Sequence, residues 1–495
     1  MPVRAWRFKS SHPHEPGAVR AGREDRAVAV LLTGATLTVD EVLRVARAGE
    51  EVRLDAAALE RMRAARAVAE RALADGVEAY GLTTGVGVRK AFRVDSAGHE
   101  RLLVQQHLIG QGPAAPADAV RATALRLANA LAQGTSAARP ELAEHVVAAL
   151  NDDRLPPVRL LGSVGQADLA PLADLAAGLL EGIEPARGEA IALLNQNAFS
   201  TGLAALALAD AERLLDVLDV AGALDLEALG ANPGALHPAL DAVRPSPGVR
   251  AARARLAALR AGSAVTVRSL QDPLSFRTLP QLHGAARDAF AFVRAQVELE
   301  LNAHQSNPLV LVDEGVVVSV GDFEAAGLAG ALDVARLALA PVLGSAAERA
   351  VKLLQAPLTG LPEGLGARPG LVESALSELG IAVQAFAAEA RLAAQPVSLE
   401  LVSTTQAEGI EDRTTMAPLA ARRLAEQVRL GARVVAVELL LAAQACDLRG
   451  EQLGAGTAAA HAAVRRLAPF VGEGDPLPDL EPLVHAVGSG ALAPA

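Results

Sequence analysis

Long runs rich in alanine and leucine recur along most of the chain, and they constrain its fold more than any other feature. They occupy residues 117–150, 168–181, 190–227, 249–260, 280–300, 326–355, 371–395 and 418–447. Alanine and leucine are the strongest apolar helix formers. Because 51% of the chain is hydrophobic and only 2% is aromatic, its core must be aliphatic. The sequence therefore predicts a folded, mostly α-helical protein.

The remaining sequence patterns indicate how the chain is divided into parts. Short β-branched stretches at 309–312 and 316–320, separated by a turn that ends in glycine, predict one small hairpin. Residues 1–28 are polar and are predicted to be a disordered extension. We expect an N-terminal part at 29–225, followed at 226–495 by a central helical bundle and C-terminal helices.

The composition excludes several kinds of partner and site. A net charge of −11 argues against nucleic acid, whose phosphates bind clustered Lys and Arg. Cys446 is the only cysteine, which rules out an intrachain disulfide and fits a reducing cytoplasm. His12 and His14 have no second pair at ligand spacing, so we expect no metal site.

A membrane is also an unsuitable partner for this chain. The most notable uncharged stretch, 190–209, would place five polar side chains in lipid. The N-terminus has no apolar segment of the kind found in secretory signals. We therefore expect a cytoplasmic protein. The five polar residues are Asn195, Gln196, Asn197, Ser200 and Thr201.

Strings rich in glycine, proline and amides interrupt the helical runs and hold most residues suited to chemistry. The first, Tyr80-Gly81-Leu82-Thr83-Thr84-Gly85-Val86-Gly87, carries the only tyrosine. Its three glycines can adopt positive φ, which suits a mobile lid carrying a phenol. The others are 126–140, 162–172, Leu193-Leu194-Asn195-Gln196-Asn197, 271–284, 302–310 and Glu411-Asp412 before Met416.

Taken together and in this order, these strings resemble the histidine and phenylalanine ammonia-lyase family, also called the aromatic amino acid lyases. The resemblance runs from about Ala35 to beyond Met416. It implies an all-α fold with a small β-hairpin, in which long central helices form a bundle. It further implies a homotetramer whose active sites are built from more than one subunit.

The same resemblance implies roles for individual residues. Tyr80 matches the lid tyrosine that serves the family as a base, and Asn195 matches the active-site asparagine. Arg277 matches the arginine that holds the substrate carboxylate, a task suited to its planar guanidinium. Glu411 matches a pocket glutamate that can meet an ammonium or a polar side chain. These four are the predicted catalytic residues.

Other matches concern substrate binding. Gln271 matches the family's motif glutamine, whereas Leu274 replaces a second tyrosine. Gln106 and His107 align with the Ser-His pair that reads the substrate ring in histidine and tyrosine lyases. Two new acids stand where the family has the string Gly-Gly-Asn-Phe-His-Gly, and they could favour a cationic substrate group or be surface acids. They are Asp322 and Glu324.

One string departs from the family at the point where the family forms methylidene-imidazolone. Family members make this electrophile from Ala-Ser-Gly in Gly-Ser-Val-Gly-Ala-Ser-Gly-Asp-Leu-Ala-Pro-Leu. In this chain Gln166-Ala167 replaces the tripeptide and Asp168 follows. Ring closure needs a serine hydroxyl to leave and a following glycine whose nitrogen attacks. The sequence therefore predicts that the prosthetic group is absent and that no other cofactor is bound.

Three functions follow from these matches. The main prediction is a divergent enzyme that acts on a carboxylate-bearing, amino-acid-like molecule by elimination, addition or rearrangement, with Tyr80 as acid or base. The alternative is a noncatalytic homologue that binds a ligand or pairs with an active subunit. The second alternative is an ordinary aromatic amino acid ammonia-lyase.

Overall fold

A computed structural model describes residues 29–94, 98–370, 375–399 and 406–493. The predicted extension at 1–28 lies outside the described residues. The described part is mostly α-helical, which confirms the predicted fold class. Its helices are α1 Val39–Ala48, α2 Ala56–Ala74, α3 His99–Gln106, α4 Ala117–Ala132, α5 Pro140–Asn151, α6 Leu169–Leu179, α7 Glu189–Leu194, α8 Ala198–Leu229, α9 Leu240–Val243, α10 Pro247–Leu259, α11 Leu274–Arg277, α12 Leu279–Asn302, α13 Ala326–Leu353, α14 Ala356–Thr359, α15 Leu379–Ala393, α16 Ala417–Arg449, α17 Ala455–Leu467 and α18 Glu481–Ser489.

The long helix α8 lies at the centre of the molecule. It packs against α4, α12, α13 and α16, and α13 and α16 also pack against each other. Buried residues occur on every face of α8, from Phe199 to Leu229, as expected for a helix surrounded by others. The core is aliphatic, and Ala and Leu provide most of its side chains.

Within the described ranges, two helical segments are apolar and long enough to cross a membrane by length and composition alone: Glu189–Leu229 and Ala326–Leu353. In the first, 94% of the most apolar window is buried inside the protein, and in the second 56%. The first segment, which includes the uncharged stretch 190–209, is therefore the core of the bundle. The second segment, α13, has one face in the bundle and one outside it.

Three two-stranded sheets lie at the edges of the described part. The predicted hairpin is present as β5 Leu309–Leu311 and β6 Val316–Val318, paired antiparallel with Val310 opposite Val317. Sequence patterns had not indicated the other two pairs, parallel β1 Val30–Leu32 with β2 Val52–Leu54 and antiparallel β3 Gln111–Ala114 with β4 Arg159–Leu161. Each of these strands has only three or four residues, too few for an alternating pattern to show.

The predicted helix over 190–227 is interrupted, contrary to the sequence analysis. Helix α7 ends at Leu194 and α8 begins at Ala198, so Asn195, Gln196 and Asn197 form the break between them. The physical reason is that Asn side chains bond to nearby loops, which draws the backbone out of the helix. This break brings Asn195 to the edge of a cavity, whereas Gln196 and Asn197 stay buried.

Candidate active site

A cavity of about 640 Å³ opens between the break after α7, the start of α3 and the turn that follows α2. Five of the predicted catalytic and substrate-binding residues face it, together with two residues of the 162–172 string, Gln166 and Leu169. The cavity is large enough for an amino acid, and it combines apolar walls with a few polar groups, as ligand sites usually do. The polar side chains on its wall are Tyr80, Arg89, Lys90, His99, Gln106, His107, Gln166, Asn195, Asn307, Ser319 and Glu411.

Tyr80 stands at one side of the cavity on residues 80–87, called here the Tyr80 turn. Its hydroxyl oxygen accepts a hydrogen bond from the Gly87 backbone N–H at 2.9 Å. Gly81 has a φ of 68°, and a Cβ at this position would lie 3.0 Å from Ile191 Cγ1. Burial raises the pKa of Tyr80, the Gly87 hydrogen bond lowers it, and the charge of Glu411 raises it further. The phenol is therefore protonated at neutral pH in the isolated chain.

Asn195 fixes the opposite wall. Its Nδ2 donates to the Asn307 carbonyl at 2.7 Å. The side-chain oxygen of Asn307 in turn accepts from the Val320 backbone N–H at 2.9 Å and from the Ser319 hydroxyl at 3.2 Å. The helix break and the segment after the hairpin are thus joined through one asparagine. Asn195 keeps a defined orientation because its amide nitrogen is engaged.

Residues 163–168, called here the 163–168 loop, form the floor beside Asn195. The Thr415 hydroxyl donates to the Gly165 carbonyl at 2.7 Å, and the Met416 N–H donates to the Val164 carbonyl at 2.9 Å. Gly165 has a φ of 81°, and a Cβ there would overlap the Thr415 hydroxyl. This glycine is required by both its conformation and its surroundings.

Asp168 anchors the end of this loop in the core. Its carboxylate accepts from the Ser200 hydroxyl at 2.6 Å, from the Ser200 N–H at 2.7 Å and from the Ser163 hydroxyl at 3.0 Å. Complete burial raises the pKa of Asp168 to about 6, although these hydrogen bonds oppose the rise. Burial is the dominant cause because three donors only partly replace hydration of the charge.

Four helices begin around the 163–168 loop and the cavity. They are α6, α8, α13 and α16, which start at Leu169, Ala198, Ala326 and Ala417. Helix N-termini carry partial positive charge and unpaired N–H groups. The floor of the cavity therefore favours a negatively charged group.

Helix α3 contributes the residues predicted to read the substrate ring. Gln106 and His107 both line the cavity. His107 Nδ1 lies 2.7 Å from the Leu103 carbonyl, which leaves its other nitrogen available to the cavity. His107 can therefore present a polar ring atom to a ligand.

The sequence analysis missed His99, which lines the same cavity from the first turn of α3. Its Nε2 is buried and has no hydrogen-bond partner in the described part of the chain. Burial and the charge of Arg187 lower the pKa of His99, so its ring is neutral at pH 7. A spacing of eight residues from His107 places both on one helix face, and this signal could have found it.

The other predicted residues do not line the cavity of this chain. Gln271, Leu274 and Arg277 lie on or before α11, and Leu274 is exposed while Arg277 is half-buried. Asp322 and Glu324 are exposed, and Glu324 pairs with Arg413 at 3.4 Å. Their assignment to substrate binding stays a prediction. Among the described residues, no group of three or more His, Cys, Asp or Glu could hold a metal.

The residues at the position of the family's tripeptide, and the aspartate after them, lie partly on the cavity wall and partly in the core. Gln166 is half-buried on the cavity wall, whereas Ala167 and Asp168 are buried and do not line it. The Asp168 N–H donates to the Gln196 carbonyl at 2.7 Å, so the first backbone nitrogen after the replaced tripeptide is already engaged. Ala167 has no hydroxyl to expel. These residues do not fit the condensation that makes methylidene-imidazolone.

Comparison with known proteins gives the wider context. The aromatic amino acid lyase model matches residues 37–182 and 178–466. A histidine ammonia-lyase from Anaeromyxobacter dehalogenans is 36% identical, over 94% of this chain and 99% of its own length. Ergothionase from Treponema denticola superposes with a TM-score of 0.87 at 27% identity, covering 94% of this chain and 99% of its own. Histidine ammonia-lyase from Trypanosoma cruzi superposes with a TM-score of 0.84 at 28% identity, covering 94% of each chain.

These relatives overturn two predictions. The main predicted function, a divergent enzyme working without the prosthetic group, is wrong, because relatives aligned over nearly the whole chain are named histidine ammonia-lyase and favour the ordinary lyase. The predicted absence of methylidene-imidazolone is contradicted by the same relatives, since their family uses that group. The replacement of Ala-Ser-Gly by Gln166-Ala167 is a local change, whereas the similarity to these relatives extends over 94% of the chain. With its motifs, fold and sequence all in agreement, the chain belongs to the aromatic amino acid lyase family.

Proposed function

We propose that this protein is an ammonia-lyase that acts on an aromatic amino acid, with histidine as the first substrate to test. The observation that carries the proposal is one cavity of about 640 Å³ that holds Tyr80, His107, Asn195 and Glu411 together. Relatives 33–36% identical over nearly full length and named histidine ammonia-lyase support it.

The reaction breaks two bonds of the amino acid. A proton leaves the β-carbon, the electron pair of that C–H bond forms the double bond, and the Cα–N pair departs with the amine. The products are ammonia and an arylacrylate. Tyr80 is suited to accept the β-proton because it lines the cavity and carries an ionisable hydroxyl. A positioned general base of this kind contributes about 10²–10⁴-fold to a rate.

Tyr80 can act as a base only when its proton is removed. In the isolated chain, burial and Glu411 raise the pKa of Tyr80, so a nearby positive charge is needed to lower it. The substrate ammonium or a guanidinium would supply that charge. Glu411 is placed to meet the ammonium, because both it and Tyr80 line the cavity.

Arg277 is proposed to bind the substrate carboxylate from a neighbouring subunit. It lies outside the cavity of its own chain, and its buried Nε has no hydrogen-bond partner in the described residues. We therefore propose a homotetramer in which one subunit completes the site of another. Large exposed apolar side chains on α12 and α13, Phe292, Leu299 and Leu337, support close association of chains. The single buried cysteine is consistent with a proposed location in the cytoplasm.

The test is direct turnover of L-histidine, L-phenylalanine and L-tyrosine by the purified protein. We expect ammonia and an ultraviolet-absorbing arylacrylate in equal amounts, with histidine turned over fastest. Absence of both products from all three amino acids would contradict the proposal. An intact mass below that of the sequence, by the weight of expelled water, would be the sign of methylidene-imidazolone in this chain.

Subunit sharing has its own test. Tyr80→Phe and Arg277→Ala should each retain only a small residual activity alone, because each removes a group from every site. Co-expressed chains that carry one change each should recover activity, since some mixed sites then contain both Tyr80 and Arg277. No recovery in an isolated mixed tetramer would contradict sharing of the site.

A further inference from the structure

A buried charge cluster in the helix bundle lies outside the cavity and has no part in the chemistry above. Arg349 on α13 is fully buried between Asp225 on α8 and Glu438 on α16. Its Nε donates to Asp225 Oδ2 at 2.7 Å and to Glu438 Oε1 at 2.9 Å. Three of the central helices are thus joined by one guanidinium.

The cluster has more acid than base. Burial and the neighbouring Glu438 charge raise the pKa of Asp225 well above its ordinary value, although Arg349 opposes the rise. Burial of two carboxyl groups beside one guanidinium thus favours the protonated form of Asp225, which reduces the net negative charge of the cluster. Buried ionic groups of this kind add little to stability compared with apolar residues of the same size. A contribution to stability alone therefore does not explain why these three residues are ionic.

The remaining contacts of Arg349 point to the segment that carries Arg277. Arg349 Nη1 donates to the Ser275 carbonyl at 3.2 Å and to the Ser345 hydroxyl at 3.2 Å. The Ser345 hydroxyl donates to the same Ser275 carbonyl at 3.3 Å. Two donors on α13 therefore hold one carbonyl of α11, two residues before Arg277.

Helix α11 depends on such external contacts. It has four residues, Leu274–Arg277, and one helical turn is unstable by itself. Phe276 is 1% exposed and fixes one side of the turn in the core. Ser275 on the other side is fixed through Arg349 and Ser345. Together these contacts determine where the Arg277 side chain leaves the backbone.

We propose that Arg349, held between Asp225 and Glu438, is a positioning residue that aims Arg277 at the substrate carboxylate by fixing the Ser275 carbonyl. This inference rests on the proposed function, in which Arg277 binds that carboxylate. Arg349 itself touches no substrate, so its effect reaches the reaction only through α11.

The first experiment measures the turn without using activity. Hydrogen exchange is compared between the wild type, Arg349→Lys and Ser345→Ala in peptides that cover residues 271–279. We expect exchange in these peptides to become about tenfold faster in both variants, as the turn opens more often. Arg253→Lys is the matched control, because Arg253 is also buried but pairs with Asp241, away from α11. Unchanged exchange in 271–279 would overturn the proposal whether or not the protein is a lyase.

The second experiment separates positioning from general loss of structure. Arg349→Lys and Ser345→Ala should raise KM for the amino acid about five- to tenfold with a smaller change in kcat, since carboxylate binding is weakened. The same changes made in an Arg277→Ala background should have no further effect on KM. An equal KM effect in that background, or an unchanged KM in the single variants, would overturn the link to Arg277.

The outcomes also distinguish the two proposals. If both variants exchange faster than the wild type in 271–279 but the wild type releases no ammonia, the proposed function is contradicted. The proposal that Arg349 fixes the Ser275 carbonyl would still stand. If Arg349→Lys fails to fold, Ser345→Ala carries both experiments, because it removes one small hydroxyl and leaves the charges in place.

Discussion

The 163–168 loop and the Tyr80 turn face the same cavity but are held in different ways. The loop is fixed by buried side chains: Asp168 accepts three hydrogen bonds, and Thr415 closes over Gly165. The Tyr80 turn is held mainly by its own backbone and by Thr83, whose hydroxyl accepts from the Ala79 N–H at 2.8 Å and donates to the Val77 carbonyl at 2.7 Å.

This difference in hydrogen bonding indicates that the loop and the turn have different roles in the site. Disturbing the loop must break buried hydrogen bonds, each worth about 0.5–1.5 kcal/mol with a larger penalty for an orphaned partner. Moving the turn disturbs mainly local hydrogen bonds, together with the packing of the buried Leu82 side chain near Ala137. A rigid floor and an adjustable phenol are therefore expected, and each prediction below tests one side of that contrast.

The largest effect is expected in the chemistry of the turn. Tyr80→Phe should lower kcat/KM by about 10²–10⁴-fold because the proton acceptor is lost. The free energy of unfolding should fall by only about 1 kcal/mol, since one hydrogen bond from Gly87 is removed. Steady-state kinetics and urea unfolding of the same samples check both values. A large loss of stability would mean that the turn is not the adjustable part.

The next effect concerns the rigid floor. Gly165→Ala should lower the free energy of unfolding by about 2–5 kcal/mol, because a Cβ would overlap Thr415 and lie 3.0 Å from the Ala417 nitrogen at a φ of 81°. Gly182→Ala is the control. Gly182 has a φ of 75° but no atom within 4 Å of the added Cβ, so only the strain of about 1–2 kcal/mol remains. Equal losses in both variants would show that packing around the loop is loose.

A smaller effect should appear in the pH dependence of stability. The folded pKa of Asp168, about 6, lies above the ordinary value of 3.8, so the folded state binds the proton more tightly than the unfolded state. Its contribution is most favourable below about pH 4 and is lost as pH rises towards 6, by up to about 3 kcal/mol. Asp168→Asn should remove this slope.

The measurement is the difference in unfolding free energy between wild type and Asp168→Asn at pH 4 and pH 7. Other groups contribute equally to both proteins, so they cancel in the difference. We expect the wild type to lose stability relative to the variant as pH rises. A difference that does not change with pH would mean that Asp168 keeps an ordinary pKa in the fold.

The smallest effect is expected at the edge of the Tyr80 turn. Thr83→Ala should leave the free energy of unfolding within about 1–2 kcal/mol of wild type, because two hydrogen bonds at a half-buried site are lost. Local hydrogen exchange across residues 80–87 should rise while exchange in the 163–168 loop stays unchanged. A matched rise in the loop would show that the two regions move as one.

The sequence predicted the helices well, since alanine and leucine runs carry their own propensity and their own core face. It placed the break at residues 195–197 inside a helix, because three amides alone do not reveal which loops they will bond. Tyr80, His107, Asn195 and Glu411 were identified by motif, and all four line the cavity. Arg277 does not line it, since a match to a motif does not fix where a side chain lies relative to the cavity of its own chain.

The function and cofactor were misjudged for a different reason. Gln166 and Ala167 lie in the string that forms the prosthetic group in the family, and the chemistry of those two residues outweighed a similarity that extends over 94% of the chain at 36% identity. His99 was missed because no motif contains it, although it shares a helix face with His107. Local chemistry is a strong guide to where a site lies and a weaker guide to which reaction it performs.

Asn307 has a consequence beyond the orientation of Asn195. Its carbonyl accepts from Asn195 in the helix break, and its side-chain oxygen accepts from Ser319 and Val320 after the hairpin. We therefore expect a ligand that displaces Asn195 to displace Ser319 and Val320 as well. The segment that follows the outer hairpin is thus connected to the cavity wall by hydrogen bonds, and we expect the two to move together. A fluorophore placed at the exposed tip of the hairpin, near Glu314, would report occupancy from outside without touching the ligand.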